Sequence, residues 1–328
     1  MSASLLRFAF LPAVALATIV PSWNNISHAG VISGESSAYG VELNLGISVG
    51  EISVITAGLG PFSTSSGTAP VAYNIFNDDD SASALGALDV GGALGTVNFI
   101  SLDTGLLETT SVSNVDGGLG GRSTTASASV NDVSLSILSL VGVDPAITAE
   151  TFISLEATAV ESDAAVSGDF NALSESGSTT IAGVGGVGET QAVLSVLGVE
   201  FVLDASAPAN TLISIDSTVS GLASLQGSIS VILNEQLYSG DSLSSRSIDV
   251  NAIHVTFSDV GVNLGALGIG LLNGDVIISH SEAQMSALDT SSAVPEPSSF
   301  VLLGIAALGA LSRLVFRRRK QSSEQLAS

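Results

Sequence analysis

The chain has 328 residues, 45 % of them apolar and 12 % charged, with no cysteine. It is long enough to bury a large core, carries too few charges for charge-driven disorder, and has neither disulfides nor thiolate metal sites open to it. Between Gly30 and Ser291 only Arg122 and Arg246 face 29 acids, a net charge of −27 that repels nucleic acid and anionic lipid and excludes a DNA- or RNA-binding role for that region.

In chain order, the first expected element is an export signal over residues 1–29. Arg7 supplies a minimal basic start, Phe8–Val20 an apolar stretch of signal length, and Ser27–Ala29 the small residues that signal peptidase cuts. A buried N-terminal helix is the alternative, but Pro12 and Pro21 interrupt it and no amphipathic period appears.

Residues 30–290 read as strands. From Tyr39 to Val49, Val41, Leu43, Leu45, Ile47 and Val49 share one face while Glu42, Asn44, Gly46 and Ser48 share the other, the period of a half-buried antiparallel strand. In the run from Ala126 to Leu138 the apolar phase flips at Asn131 and Asp132, which predicts a bulge or tight turn. Further strands are expected at Phe152–Val160, Ala192–Leu203, Thr211–Val219, Gly227–Leu233, Ile248–Phe257 and Gly274–Ser279. The nearly continuous apolar run from Ala192 to Leu203 predicts a central strand covered on both faces. Val141–Ile147, with its Asp-Pro step, is a candidate divider between two subdomains, one continuous sandwich being the first choice. The expected fold class is therefore all-β, an antiparallel β-sandwich-like ectodomain between an N-terminal signal helix and a C-terminal transmembrane helix. A barrel or a solenoid is the alternative, with no fixed repeat to support the latter.

Chemistry is sparse along this region. His254 and His280 are the histidines left after signal removal, and with Asp249, Asp259 or Glu282 they could supply a metal site or an acid–base pair. Strand alternation suits His254 to an ordinary solvent-facing or edge position, and that reading is preferred. No nucleophile elbow, phosphate-binding glycine loop or zinc-protease helix appears, so no catalytic residue is assigned. Asn77–Asp80 is the densest oxygen cluster; Asp78 and Asp80 are candidate calcium ligands, with a solvated acidic loop as the favoured alternative because the spacing is not that of an EF-hand. A specific lectin site is not favoured: Trp23 leaves with the signal, and only Tyr39, Tyr73 and Tyr238 remain as tyrosines.

Residues 291–328 form the last expected element. Ser298–Phe316, as a helix of about 28 Å, matches a hydrocarbon core of roughly 30 Å. Arg317, Arg318, Arg319 and Lys320 would hold its end in the cytoplasm. Pro295, Glu296 and Pro297 stand directly before the apolar span. That order of Pro-Glu-Pro, span and basic end resembles the PEP-CTERM sorting signal of Gram-negative envelopes. The resemblance implies recognition of the Pro-Glu-Pro residues by a membrane-embedded exosortase-type protease and release from the helix; a permanent single-pass anchor is the alternative.

Ser36–Leu45, Ala126–Leu135, Leu233–Gln236 and Val250–Phe257 also resemble the choice-of-anchor P family of exported bacterial proteins, which implies surface location and no particular activity. Together these features predict a non-enzymatic exported surface or extracellular-matrix protein, membrane-anchored as a precursor and then at the cell surface or outside it. Signal peptidase, the exosortase-type protease and exopolysaccharide are the expected partners, and calcium the one candidate cofactor. The alternative is a carbohydrate-active enzyme or ligand-binding module acting on exopolysaccharide.

Overall fold

Alternating apolar residues require a sheet with one face covered, and the chain satisfies that requirement with two sheets stacked face to face. The computed structural model describes residues 30–50, 52–89, 96–117, 121–141, 151–183, 191–204, 206–263 and 269–288, all within one compact unit. Among these residues there is no helix. The expected signal helix, the membrane helix, the sorting residues Pro295, Glu296 and Pro297, the basic residues Arg317, Arg318, Arg319 and Lys320, and residues 142–147 of the candidate divider lie outside the described residues.

The strands are β1 (Gly30–Val49), β2 (Ile52–Thr68), β3 (Tyr73–Asp79), β4 (Ser83–Asp89), β5 (Thr96–Asp103), β6 (Leu107–Ser113), β7 (Arg122–Val141), β8 (Thr151–Gly168), β9 (Ser174–Ala182), β10 (Ala192–Val196), β11 (Val199–Leu203), β12 (Thr211–Ile215), β13 (Ser228–Gly240), β14 (Ser245–Asn263) and β15 (Ile269–Leu288). One sheet has the order β12-β13-β14-β15-β1-β2, so the first and last strands lie side by side within it. The other is built on the long pair β7–β8: β5 and then β6 flank β7, β10 and then β9 flank β8, and β4, β3 and β11 lie outermost. All of these pairings are antiparallel.

The phase flip read at Asn131 and Asp132 belongs to a line that crosses both sheets. Asp132 has φ 49°, and β7 and β8 exchange partners at that level, from β5 to β6 and from β10 to β9. In the six-stranded sheet the matching row is Asn234, Ala252, Ser279 and Gly40, with φ 50° at Asn234 and 59° at Ser279. At this row consecutive residues turn inward: Gly40 with Val41, Ala252 with Ile253, and Ile278 with Ser279 are all buried. The sheet is creased there, and two unlike halves result.

On one side of the crease the core is large and aliphatic. Val41, Leu43, Leu45 and Ile47 pack in one cluster with Leu135, Ile137, Ile153, Leu155 and Phe99, each fully buried Leu or Ile contributing about 2 kcal/mol. On the other side a smaller apolar cluster that includes Val166, Ile248, Val250 and Met285 is joined by small and hydroxyl-bearing inward positions: Ala38, Ala126 and Ala128 cluster together, and Ser65, Ser111, Ser113, Thr124 and Ser162 are also buried. Those hydroxyls bond to one another, Ser65 Oγ to Ser111 Oγ at 2.9 Å and Ser113 Oγ to Thr124 Oγ1 at 3.0 Å. Ser279 Oγ donates across the sandwich to the Ala128 carbonyl at 2.9 Å. The sheets approach closely enough that a Cβ on Gly40 would sit 2.6 Å from Leu107 Cδ2.

These hydroxyl-lined inward positions explain why β6 and parts of β2 and β9 lack apolar alternation. In β6 the inward residues after Leu107 are Thr109, Ser111 and Ser113. A second difference concerns Ala192–Leu203. It is not a central strand but a hairpin at the end of the sheet, folded at Leu197 and Gly198, whose φ values are 48° and 76°. A turn with both central φ positive matches the twist of an antiparallel pair and splits the apolar run in two. Only one of its faces is covered: Leu194 is buried, and Val202 is 50 % exposed.

Candidate functional site

The outer face of the six-stranded sheet carries a polar row directly beside the crease. Register places Glu235 (β13) opposite Asn251 (β14), Asn251 opposite His280 (β15), and His280 opposite Tyr39 (β1). Neighbouring strands lie about 4.8 Å apart, so side chains opposite one another on one face are in bonding range. Asn251 Nδ2 donates to Glu235 Oε2 at 2.7 Å, and the same carboxylate oxygen accepts from His254 Nδ1 at 2.8 Å. His254 belongs to the row on the far side of the crease, opposite Ile232 and Ile277, so this bond spans it.

Because the Asn251 amide nitrogen is committed to Glu235, its oxygen faces His280 Nδ1 at 2.7 Å and must accept from it. The proton of His280 therefore sits on Nδ1, leaving Nε2 with its lone pair. Tyr39 stacks on the His280 ring, with centroids 4.3 Å apart and planes 18° from parallel.

The next outward row holds Asp249 (β14), Glu282 (β15) and Ser37 (β1), again directly opposite one another. Ser37 Oγ donates to Glu282 Oε2 at 3.1 Å. The ligand atoms of Asp249, His280 and Glu282 all lie within 4.8 Å of one another.

Environment tunes each group differently. The hydrogen bond from His254 holds the Glu235 carboxyl below its usual range, and the same bond raises His254. Burial pulls His280 down to about 4, so the ring is neutral at pH 7. Burial, then the charges of Glu282 and Glu235, push Asp249 up to about 6. Burial and the nearby Glu42 raise Tyr39. Among the described residues, no basic side chain apart from His254 relieves this acidic patch. Among the described residues the arginines are Arg122, paired with Asp116 at 2.6 Å, and Arg246, which reaches from β14 to Glu175 on β9 in the other sheet.

The structure thus gathers Asp249, His280 and Glu282 from the acids and histidines singled out in the sequence and sends His254 to Glu235. His254 is outward-facing as expected but sits on an interior strand, half-buried, not at an edge. Asp259 stands apart, bonded to Asn273. Sequence spacing does not single out Glu235 or Asn251: Glu235 stands 19 positions from His254 and Asn251 29 positions from His280, and the cross-strand register brings them together.

Asp78 and Asp80 lie at the end of β3, both exposed, with Asp78 opposite Glu108. They border the outer face of the nine-stranded sheet, where Phe76, Glu108, Thr110, Ser127, Glu161 and Asp163 line a shallow groove of about 230 Å³. Among the described residues, the three-ligand grouping falls at Asp249, His280 and Glu282 and not at the Asp78 loop.

Comparison with known proteins identifies the end of the chain. Residues 293–320 match the PEP-CTERM protein-sorting motif, a span that includes Pro295, Glu296, Pro297 and the basic residues Arg317 to Lys320. The motif marks an exported protein, made as a membrane-anchored precursor and processed by exosortase. No curated protein matches the chain.

Proposed function

We propose that this exosortase-processed export is a non-enzymatic component of the cell surface or extracellular matrix, cleaved by signal peptidase at one end and released from its membrane segment at the other. The observation that carries the reading is the sorting motif at residues 293–320, placed in the chain after a sandwich that uses strand from Gly30 to Leu288. The polar groups described above stand on the open outer faces of sheets, an arrangement suited to display and contact. Exopolysaccharide is the proposed surrounding polymer. A net charge of −27 repels acidic polysaccharide, so contact would run through neutral sugars or bridging cations.

Intact-mass measurement of cell-associated and released protein tests the processing. The mature form should begin near Gly30 and lack residues 298–316, and replacing Pro295, Glu296 and Pro297 with alanine should leave the full C-terminus in the membrane fraction. A native mature form that retains residues 298–316 would make the anchor permanent. Extraction of exopolysaccharide tests the matrix role, which fails if released protein stays free in the medium.

One observation favours the enzymatic alternative. Asp249, held protonated up to about pH 6, faces the carboxylate of Glu282, a pairing of acid and base that polysaccharide hydrolysis uses. Cleavage of exopolysaccharide by the native chain but not by Asp249→Asn would replace the non-enzymatic reading.

A further inference from the structure

Three features of the outer face of the six-stranded sheet converge on Asp249, His280 and Glu282. The first is geometry. Their ligand atoms lie within 4.8 Å of one another, and three donors gathered on one ion at about 2.0–2.2 Å stand roughly 3.3–3.6 Å apart. A contraction of at most about 1.5 Å, within reach of side-chain rotation, closes the set, and the side chains of Asp249 and Glu282 project from adjacent, hydrogen-bonded strands that hold them opposite each other.

The second is orientation of the donors by residues that would not touch the ion. Asn251 holds the proton of His280 on Nδ1 and leaves Nε2 as a lone pair, while Tyr39 fixes the plane of the ring. Glu235 in turn fixes the Asn251 amide. Ser37 steadies Glu282. An imidazole whose other nitrogen donates to a fixed oxygen is the arrangement found around metal-bound histidines.

The third is charge. Two carboxylates stand directly opposite each other on adjacent strands, a destabilising placement unless a cation intervenes. Both arginines of the described residues are engaged elsewhere, with Asp116 and Glu175.

We infer that Asp249, His280 and Glu282 form a binding site for one divalent cation of the zinc class, with its remaining coordination positions open to solvent. Calcium prefers an all-oxygen set of six to eight ligands, whereas one imidazole and two carboxylates suit a borderline transition ion. The site is distinct from the Asp78 and Asp80 loop on the other sheet.

The test is zinc chloride titrated into the purified full chain, free of affinity histidines, by calorimetry and by thermal melt, with calcium and magnesium chloride at matched ionic strength. One zinc per chain and a midpoint raised by several degrees are expected, with little response to calcium or magnesium. His280→Gln and Glu282→Gln should each weaken zinc at least tenfold, whereas His254→Gln and Asp78→Asn should leave it within about twofold. Cobalt added to the native chain should give a visible absorption band that zinc displaces, a readout independent of whether any variant folds. No binding at millimolar zinc, equal affinity in the native chain and His280→Gln, or calcium bound as tightly as zinc would each overturn the site.

Discussion

The two outer faces of the sandwich are built alike and behave differently. On the nine-stranded sheet register lines up Asp78, Glu108, Ser129, Glu161 and Thr180, and beside them Phe76, Thr110, Ser127, Asp163 and Ser178. On the six-stranded sheet it lines up Glu235, Asn251, His280 and Tyr39. Both faces carry acids near the crease. On the first face serines separate the acids of β6 and β8, leaving carboxylates to water. On the second, carboxylate, amide, imidazole and phenol are neighbours, each offering what the next one lacks. Glu235 and Asn251 consequently sink to 7 % and 6 % exposure on a face that strand alternation turns away from the core. A row across strands, more than the composition of any one strand, decides whether an acid is held in a network or left to solvent.

The largest expected effect separates the faces directly. Glu235→Ala removes the acceptor of both Asn251 and His254, leaving one buried and one half-buried donor unmatched, and should cost about 2–3 kcal/mol. Asp163→Ala on the opposite face should change stability by less than about 0.5 kcal/mol. Urea unfolding of both variants measures the gap, and equal losses would erase the distinction between the faces.

A smaller effect lies in pH. The raised pKa of His254 means that its ion pair with Glu235 is fully present below about pH 6.5 and is lost as pH rises through the folded value. Glu235 has a lowered pKa, so its contribution is kept above about pH 4.5 and lost on further acidification. Glu235→Gln should therefore cost about 1–2 kcal/mol at pH 6 and clearly less at pH 9. A cost that does not change with pH would assign the contact to hydrogen bonding alone.

The smallest effect tests the solvated face. Glu161→Gln removes one like charge near Glu108 and Asp163 and should stabilise by a few tenths of a kcal/mol at low salt. The gain should vanish near 1 M sodium chloride, where the Debye length is about 3 Å. Persistence at high salt would show that Glu161 is less exposed to solvent than its row implies.

Much of the architecture is legible in the residues. The alternation from Val41 to Ile47 marks the inward face of β1, the phase flip at Asn131 and Asp132 marks the crease, and the Pro-Glu-Pro step, apolar span and basic end mark the sorting segment. These are local properties: period two fixes which face a side chain takes, and a signal is read as a linear string. The strands whose inward residues are serine and threonine are not legible, because a close approach of the sheets replaces apolar contrast with hydroxyls bonded to each other. Nor does the Leu197–Gly198 step resemble the usual hairpin turns. The site itself was decided by tertiary structure. Ser37 and Glu282 stand 245 positions apart and meet because the first and last strands pair in the middle of one sheet. Alternation made His280 and Asp249 outward-facing, but only the register of β14 on β15 made them neighbours, since backbone hydrogen bonds between strands set lateral partners and sequence spacing does not.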